Sequence, residues 1–485
     1  PQFLTSPIAK SRPIWHKHLY PQLFSAKRET AFAMTQCTQS EFEFASHFSR
    51  RVVANFDGGT HSSDAGLLLL REVASRLGIF RRLGQCFTDF RSQDRCEHGV
   101  DEMLAQRVLS LAMGYEDLND HDQLRHDPLL ALAAGKRDAD PLASKSTLCR
   151  LEGAGKEGCA EDRYKRIGYN QEAIDRLLVA LFLQAHSAPP EEVVLDLDVT
   201  DTAIHGKQEG RFFHGFYGHY CYLPLYIFSG QHLLCARLRE ADQDASAGAL
   251  DELKRIVAQI REQWKETRIV VRADSGFCRE EILAWCEQNQ VDYVIGLARN
   301  SRLRALADKA MRKAAAEHKR TGKAARAFTE FGYRTCKSWS RTRRVVAKAE
   351  QIQGKENPRY VVTSLRASAW KPQALYEQLY CARGEMENRI KEQLSLFADR
   401  VSAATMRANQ LRLYLSAMAY TLIENLRRTA LEGTELARAQ ATTIRLRLLK
   451  IGAQLKLSAR RFVVTMPTSY PLQGLFQQVW TALRC

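Results

Sequence analysis

Three short stretches place carboxylates where they could do chemistry. In the run from Val193 to Thr200, the two-residue period of a strand puts Val193, Leu195, Leu197 and Val199 on one face. Val194, Asp196, Asp198 and Thr200 share the other. Two acids side by side on an apolar strand are costly to bury unless donors, cations or a metal meet them. An edge strand with one wet face would show the same pattern. The run from Arg268 to Phe277 reads as a second strand, ending in Asp274 and a glycine turn. In the third stretch Tyr380, Arg383, Glu387 and Lys391 project from one face of a helix. A solvated helix laced with Glu and Lys pairs has that spacing too, though a ring and an arginine beside the glutamate are less usual there.

Together Asp198, Asp274 and Glu387 suit one kind of reaction. Cutting or joining a phosphodiester needs an activated water or hydroxyl opposite a leaving oxyanion, and two Mg²⁺ ions can serve both oxygens. Mg²⁺ takes a few carboxylates and several waters rather than His or Cys.

The totals agree with an anionic partner. The chain has 485 residues, 45% of them hydrophobic, and a formal net charge of +16. That excess favours nucleic acid, while a basic ribosomal or membrane-surface protein would match it as well. No window approaches the ~18 apolar residues of a membrane span. The twelve cysteines are scattered singly, without a zinc-like cluster, and read as reduced thiols of a cytoplasmic protein.

Several elements must position these residues. Residues 1–33 show no sustained periodicity and read as a disordered or artefactual extension, with Met34 as the natural start. Helical patterns follow at 102–113 and 122–134, and a clear amphipathic helix at 171–185. The stretch Ser144–Glu152 fits either the second helix of a helix-turn-helix, with Lys145 and Arg150 outward, or a surface helix of a bundle. After the strand bearing Asp198 comes a loop rich in Gly, His and charge from Asp201 to Tyr220. Strands at 220–228 and 232–239, a helix at 246–264, the strand to Asp274, a helix at 280–288 and a strand from Val291 follow. That order predicts an α/β fold with a mixed sheet: a three-strand meander, then right-handed βαβ units. Residues 299–344 are densely basic and lead into strand-like pieces, read as a small β-rich module separate from that sheet. Long helices are expected at 371–397 and 403–431, and another at 443–457.

The stretches around Asp198 and Thr200, Arg272–Phe277 and Tyr380–Glu387 resemble the signatures of DDE transposases from bacterial insertion sequences. The resemblance is to cut-and-paste elements whose RNase H-like domain carries a β-strand insertion before the glutamate. The loop His205–Gly210 and the segment Arg407–Gln410 match one subgroup. The resemblance runs from about Met34 to the C-terminus. It implies an RNase H-like mixed sheet with helices on both faces, interrupted by the insertion, behind an α-helical N-terminal domain. The implied order is a helical DNA-binding domain at 34–188, RNase H-like parts at 189–300 and 371–432 flanking the insertion at 301–370, and a basic C-terminal region at 433–485.

Carried over residue by residue, Asp198, Asp274 and Glu387 become catalytic metal ligands for Mg²⁺, with Mn²⁺ substituting. Asp196 stays open as the alternative to Asp198, which is preferred because the family's first carboxylate lies two residues before a threonine. Tyr380 and Arg383 become backbone-phosphate contacts. Relatives carry a lysine seven residues after the glutamate; that position is Leu394 here, and Lys391 takes the role. In the insertion, Trp339 is the aromatic for stacking on an unpaired base, with packing inside a β-module as the alternative. Arg341, Arg343 and Arg344 are implied phosphate contacts. The implied partners are double-stranded DNA, as terminal inverted repeats and as target, and a second copy in the synaptic complex, with no membrane. The implied setting is the bacterial cytoplasm, at the nucleoid. A nuclease of the same fold that never joins strands, and an inactive DNA-binding regulator, are the rival readings.

Overall fold

The computed structural model describes residues 41–155, 166–352 and 355–484. The expected extension at 1–33 and the start at Met34 lie outside them. The chain divides into two compact units, Pro1–Gly58 and Gly59–Cys485. In the first, Phe42–His47 and Arg50–Ala54 form an antiparallel hairpin.

The second unit begins with helices α1 (Leu67–Leu77), α2 (Val100–Met113) and α3 (Gln171–Gln184). Between α2 and α3 the pattern expected as one helix at 122–134 is broken in two at Pro128, whose fixed φ suits a new first turn capped by Asp127. Strands β1 (Glu192–Val199), β2 (Leu225–Ser229) and β3 (His232–Arg237) then run antiparallel. Helix α4 (Ala249–Gln263) crosses to β4 (Arg268–Ala273), parallel to β1, and α5 (Glu280–Gln288) crosses to β5 (Asp292–Leu297), parallel to β4. This strand order, β3-β2-β1-β4-β5, is the RNase H-like arrangement.

The insertion departs from its sequence reading. Its strands β6 (Ala325–Tyr333), β7 (Arg343–Ile352) and β8 (Arg359–Thr363) continue the same sheet, in the order β5-β8-β7-β6. The reason is local. Tyr360, Val361 and Val362 are all buried, so β8 needs cover on both faces, and it finds a free edge on β5.

The sheet is apolar on both sides. Val193, Leu195 and Leu197 pack on the face covered by α3, α4 and α5, with Phe182, Ile256 and Ile282. On the other face Val270, Val294, Val361 and Val346 meet Leu375, Tyr376 and Leu379. Tyr226 and Phe228 share a core with α1, α2 and helix α7, whose range is Met406–Ala430. Helix α6 (Gly384–Ser395) precedes α7. The long helix expected at 371–397 is one path with three geometries: an α turn at Pro372–Ala374, a π run at Leu375–Tyr380 and a 3₁₀ turn at Cys381–Arg383 lead into α6. Past α7, the expected helix at 443–457 stops by Leu449. Ala453–Ser458 is instead a strand paired with Arg461–Thr465 and His61–Ser62.

Candidate active site

Strands β1 and β4 set the site. Their parallel register pairs Asp196 with Arg272 and Leu197 with Ala273, so the next residue on each strand is Asp198 and Asp274. Both acids leave the C-terminal ends of adjacent central strands, where loops rather than ladder take over. Asp196 is 4% exposed, and Arg272 donates to both its oxygens at 2.5 and 2.7 Å. Arg272 also donates to the carbonyl of Leu379 at 2.6 Å. Asp196 is thereby a buried, fully partnered carboxylate that ties the π segment to the sheet. Asp198, nearer the strand's end, is only part-buried, its side chain 14% exposed.

Asp198 accepts from Arg383 Nη1 at 2.8 Å and from the amide of Val199 at 2.9 Å. Burial pushes its pKa up and the charge of Asp274 adds to that, against Arg383 and the Val199 amide; the net direction is upward. Asp274 caps the 3₁₀ turn Ser275–Phe277 by accepting from the Gly276 amide at 2.8 Å, which fixes its direction.

Arg383 and Tyr380 stand over the pair. Burial opposes the charge on Arg383, and Asp198, Tyr380 and Asp274 outweigh it, so the guanidinium pKa is raised. Tyr380 reaches Asp274 because β5 carries Gly296 there: a Cβ would lie 2.7 Å from the Tyr380 hydroxyl oxygen and 2.9 Å from the Ser275 amide. The change to π and 3₁₀ geometry just before α6 aims Tyr380 and Arg383 at the sheet, a use such irregular turns often have. A cleft of about 350 Å³ opens here, lined by Asp274, Gly296, Arg299, Arg359, Tyr380 and Arg383. Gly296, Arg299 and Arg359 escaped the sequence reading. A glycine interrupting an apolar strand was the available signal for the first; the two arginines merge into a basic run.

Glu387 is not drawn in. Its side chain is 57% exposed, and its nearest link to the pair is Arg383 Nη2 at 3.9 Å. Among the described residues no three His, Cys, Asp or Glu side chains are grouped to hold a metal. Asp198 and Asp274 fit a hard cation: both offer oxygens, and a dication would offset the burial and, beside it, the Asp274 charge that raise Asp198. The side chain beside Asp198 is the Arg383 guanidinium rather than Glu387.

The remaining candidates separate by burial. Trp339 is 3% exposed, edge-on to Tyr333 with Arg343 over its ring, so in this arrangement it packs and shows no face to a base. Arg343 is buried between Glu280 and Glu287, and Arg344 is held by Glu330 and the carbonyls of Leu365 and Trp370; both are structural rather than free for phosphate. Arg341 is 66% exposed and Lys391 is exposed. Lys145 lies on the helix Lys145–Glu152, paired with Asp122 at 2.6 Å, and Arg150 is exposed on the same helix.

The two subgroup segments hold the architecture together. Gln410 accepts from the Leu238 amide and donates to the Ala236 carbonyl, docking α7 on the edge strand β3. Glu209 accepts from the first amide of α7 at 3.0 Å and its own amide donates to the Ala404 carbonyl. Gly210, at φ +68°, has Glu240 Oε1 2.6 Å from where a Cβ would be, so this loop closes only around glycine.

A family model described as "Transposase DDE domain group 1" matches residues 44–485. The chain belongs to that family: it is a DDE transposase. No curated protein sequence matches it. Among solved structures, "Cryo-EM structure of piggyBac transposase synaptic complex with hairpin DNA (SNHP)" is similar at 12% identity over 79% of this chain and 80% of that one, with a TM-score of 0.39. In this transposase Asp198 and Asp274 stand where β1 and β4 end, and Glu387 stands apart on α6. No helix of the described residues is long and apolar enough to cross a membrane.

Proposed function

We propose that this transposase binds the terminal inverted repeats of its element, cuts at their ends and joins the 3′-hydroxyls to target DNA. The observation that supports it most is the juxtaposition of Asp198 and Asp274 at the ends of adjacent parallel strands, beneath Arg383 and Tyr380. Mg²⁺, or Mn²⁺ in its place, would supply Lewis-acid stabilisation of the attacking and leaving oxygens. Asp198 and Asp274 would hold it. Glu387 completes the set on a shift of α6, which needs Arg383 to give up Asp198. Tyr380, Arg299 and Arg359 then position a strand's phosphates, which fixes geometry but carries no base sequence. Lys391 and Arg341 extend the basic surface. The helices at 67–152, including Lys145 and Arg150, bind the repeat, and two copies hold the paired ends. Such a protein works at the DNA of a bacterial cytoplasm.

The test uses labelled terminal-repeat duplex with Mg²⁺ or Mn²⁺. Asp274→Ala should keep duplex binding and lose cleavage; normal cutting by that variant would remove the site assignment. Precut ends offered with a target plasmid separate a transposase from a nuclease that only hydrolyses, because joined product appears with the first alone.

A further inference from the structure

Beyond Asp198 the chain leaves β1 and builds a small projecting hairpin, Phe212–His214 against His219–Tyr222, closed by a turn over 215–218. It holds its rings outward. Phe212 is 46% exposed, Phe213 50%, Tyr220 43% and Phe216, in the turn, 86%. Phe213 and Tyr220 are cross-strand partners 5.4 Å apart, and Arg211 lies over the Tyr220 ring at 4.6 Å. Large apolar rings clustered on a surface mark a binding site rather than chance exposure.

The hairpin is held at both ends. At its base Glu209 is bonded to the start of α7, and the Tyr222 hydroxyl donates to the Glu209 carbonyl. At its tip Tyr217 packs against the same small cluster of Cys221, Leu223 and Ala241 as Val199, the residue after Asp198, and His219 meets Asp201 at 2.8 Å. Phe216 lies 5.1 Å from Tyr217, ring to ring. The hairpin therefore stands beside the end of β1 that carries Asp198, with its most exposed ring on the turn next to Tyr217.

The geometry points to this hairpin as a stacking platform for unpaired bases beside the phosphate that is cut, with Phe216 at the opened step and the Phe213–Tyr220 pair along the displaced strand. The inference rests on the cleavage site proposed above. Charge favours a nucleic acid over an apolar protein partner: Arg211 sits among the rings, Lys207 is exposed at the base, and Arg299 and Arg359 line the adjoining cleft. Rings interleaved with cations suit single strands, because every base has a π-face and every linkage a charge. A wedge at the step offsets the cost of unstacking. With Trp339 packed inside the insertion, these exposed rings join Tyr380 as aromatic surface near the site.

The full-length chain with a forked oligonucleotide, 2-aminopurine at its first unpaired position, tests this in calcium buffer. Wild type should change the 2-aminopurine fluorescence on binding and prefer the fork over a blunt duplex of equal length. Phe216→Ala, at a side chain 86% exposed, should lose that change and weaken fork binding roughly tenfold, leaving blunt-duplex binding intact; Phe216→Trp should restore both. Equal fork binding by Phe216→Ala and wild type, or equal loss on fork and blunt DNA, overturns the proposal. Asp274→Ala, run in parallel, should keep the fork signal and lose cleavage in Mg²⁺. If it still cuts, the active-site reading fails by itself, whatever the fork shows.

Discussion

The guanidinium of Arg383 lies between two carboxylates, 2.8 Å from Asp198 and 3.9 Å from Glu387. On the metal site proposed above, a divalent cation would compete with it for Asp198. Removing it with Arg383→Ala should tighten Mn²⁺ binding, measured by electron paramagnetic resonance titration, by roughly threefold to tenfold, the scale of a partly buried ion pair. DNA cleavage by the same variant should fall, because the family resemblance implies that Arg383 also grips a backbone phosphate. Unchanged or weaker Mn²⁺ affinity would contradict this role.

Asp196 and Asp198 share a strand face but should respond oppositely to alanine. Asp196→Ala strands the buried Arg272, which costs about 3–5 kcal/mol. Asp198→Ala removes a part-buried acid whose burial already works against its charge, so stability should shift by about 1 kcal/mol or less. Thermal melts followed by circular dichroism, alongside a cleavage assay, distinguish them: one variant melts early, the other melts normally and is inactive.

Asp175 gives a pH signature outside the site. Fully buried beneath Arg237 and Tyr414, its carboxyl is pushed up to about 6, chiefly by burial. Its folded pKa exceeds the ordinary carboxylate value, so the stability it contributes is complete below about pH 4 and is lost as pH rises through about 6. Asp175→Asn does not titrate. Its stability relative to wild type should therefore improve between pH 4 and 7, by about 2–3 kcal/mol. Denaturant midpoints across that range check it; a constant difference would rule it out.

Trp339→Ala should act through folding. The ring is enclosed by Tyr333 and Arg343, so its loss leaves a cavity costing about 3–5 kcal/mol. Equilibrium urea unfolding should show the drop. A variant of unchanged stability with impaired fork binding would return Trp339 to the DNA-facing set.

Much of this protein was legible from the chain because strand and helix periods are local. The alternation from Val193 to Thr200 places Asp196 and Asp198 on one face, and the element order predicts the meander and the parallel crossovers. What periodicity cannot report is the partner. Asp196 is neutralised by a residue 76 positions away and Asp198 is met by one 185 positions away, so only packing told them apart. The same holds for the insertion, which joined the sheet because β5 offered an open edge to an apolar strand, and for Trp339, Arg343 and Arg344, whose neighbours turned them inward. Residue types determined the chemistry that was possible here; distances between segments far apart in the chain decided which side chains are free to perform it.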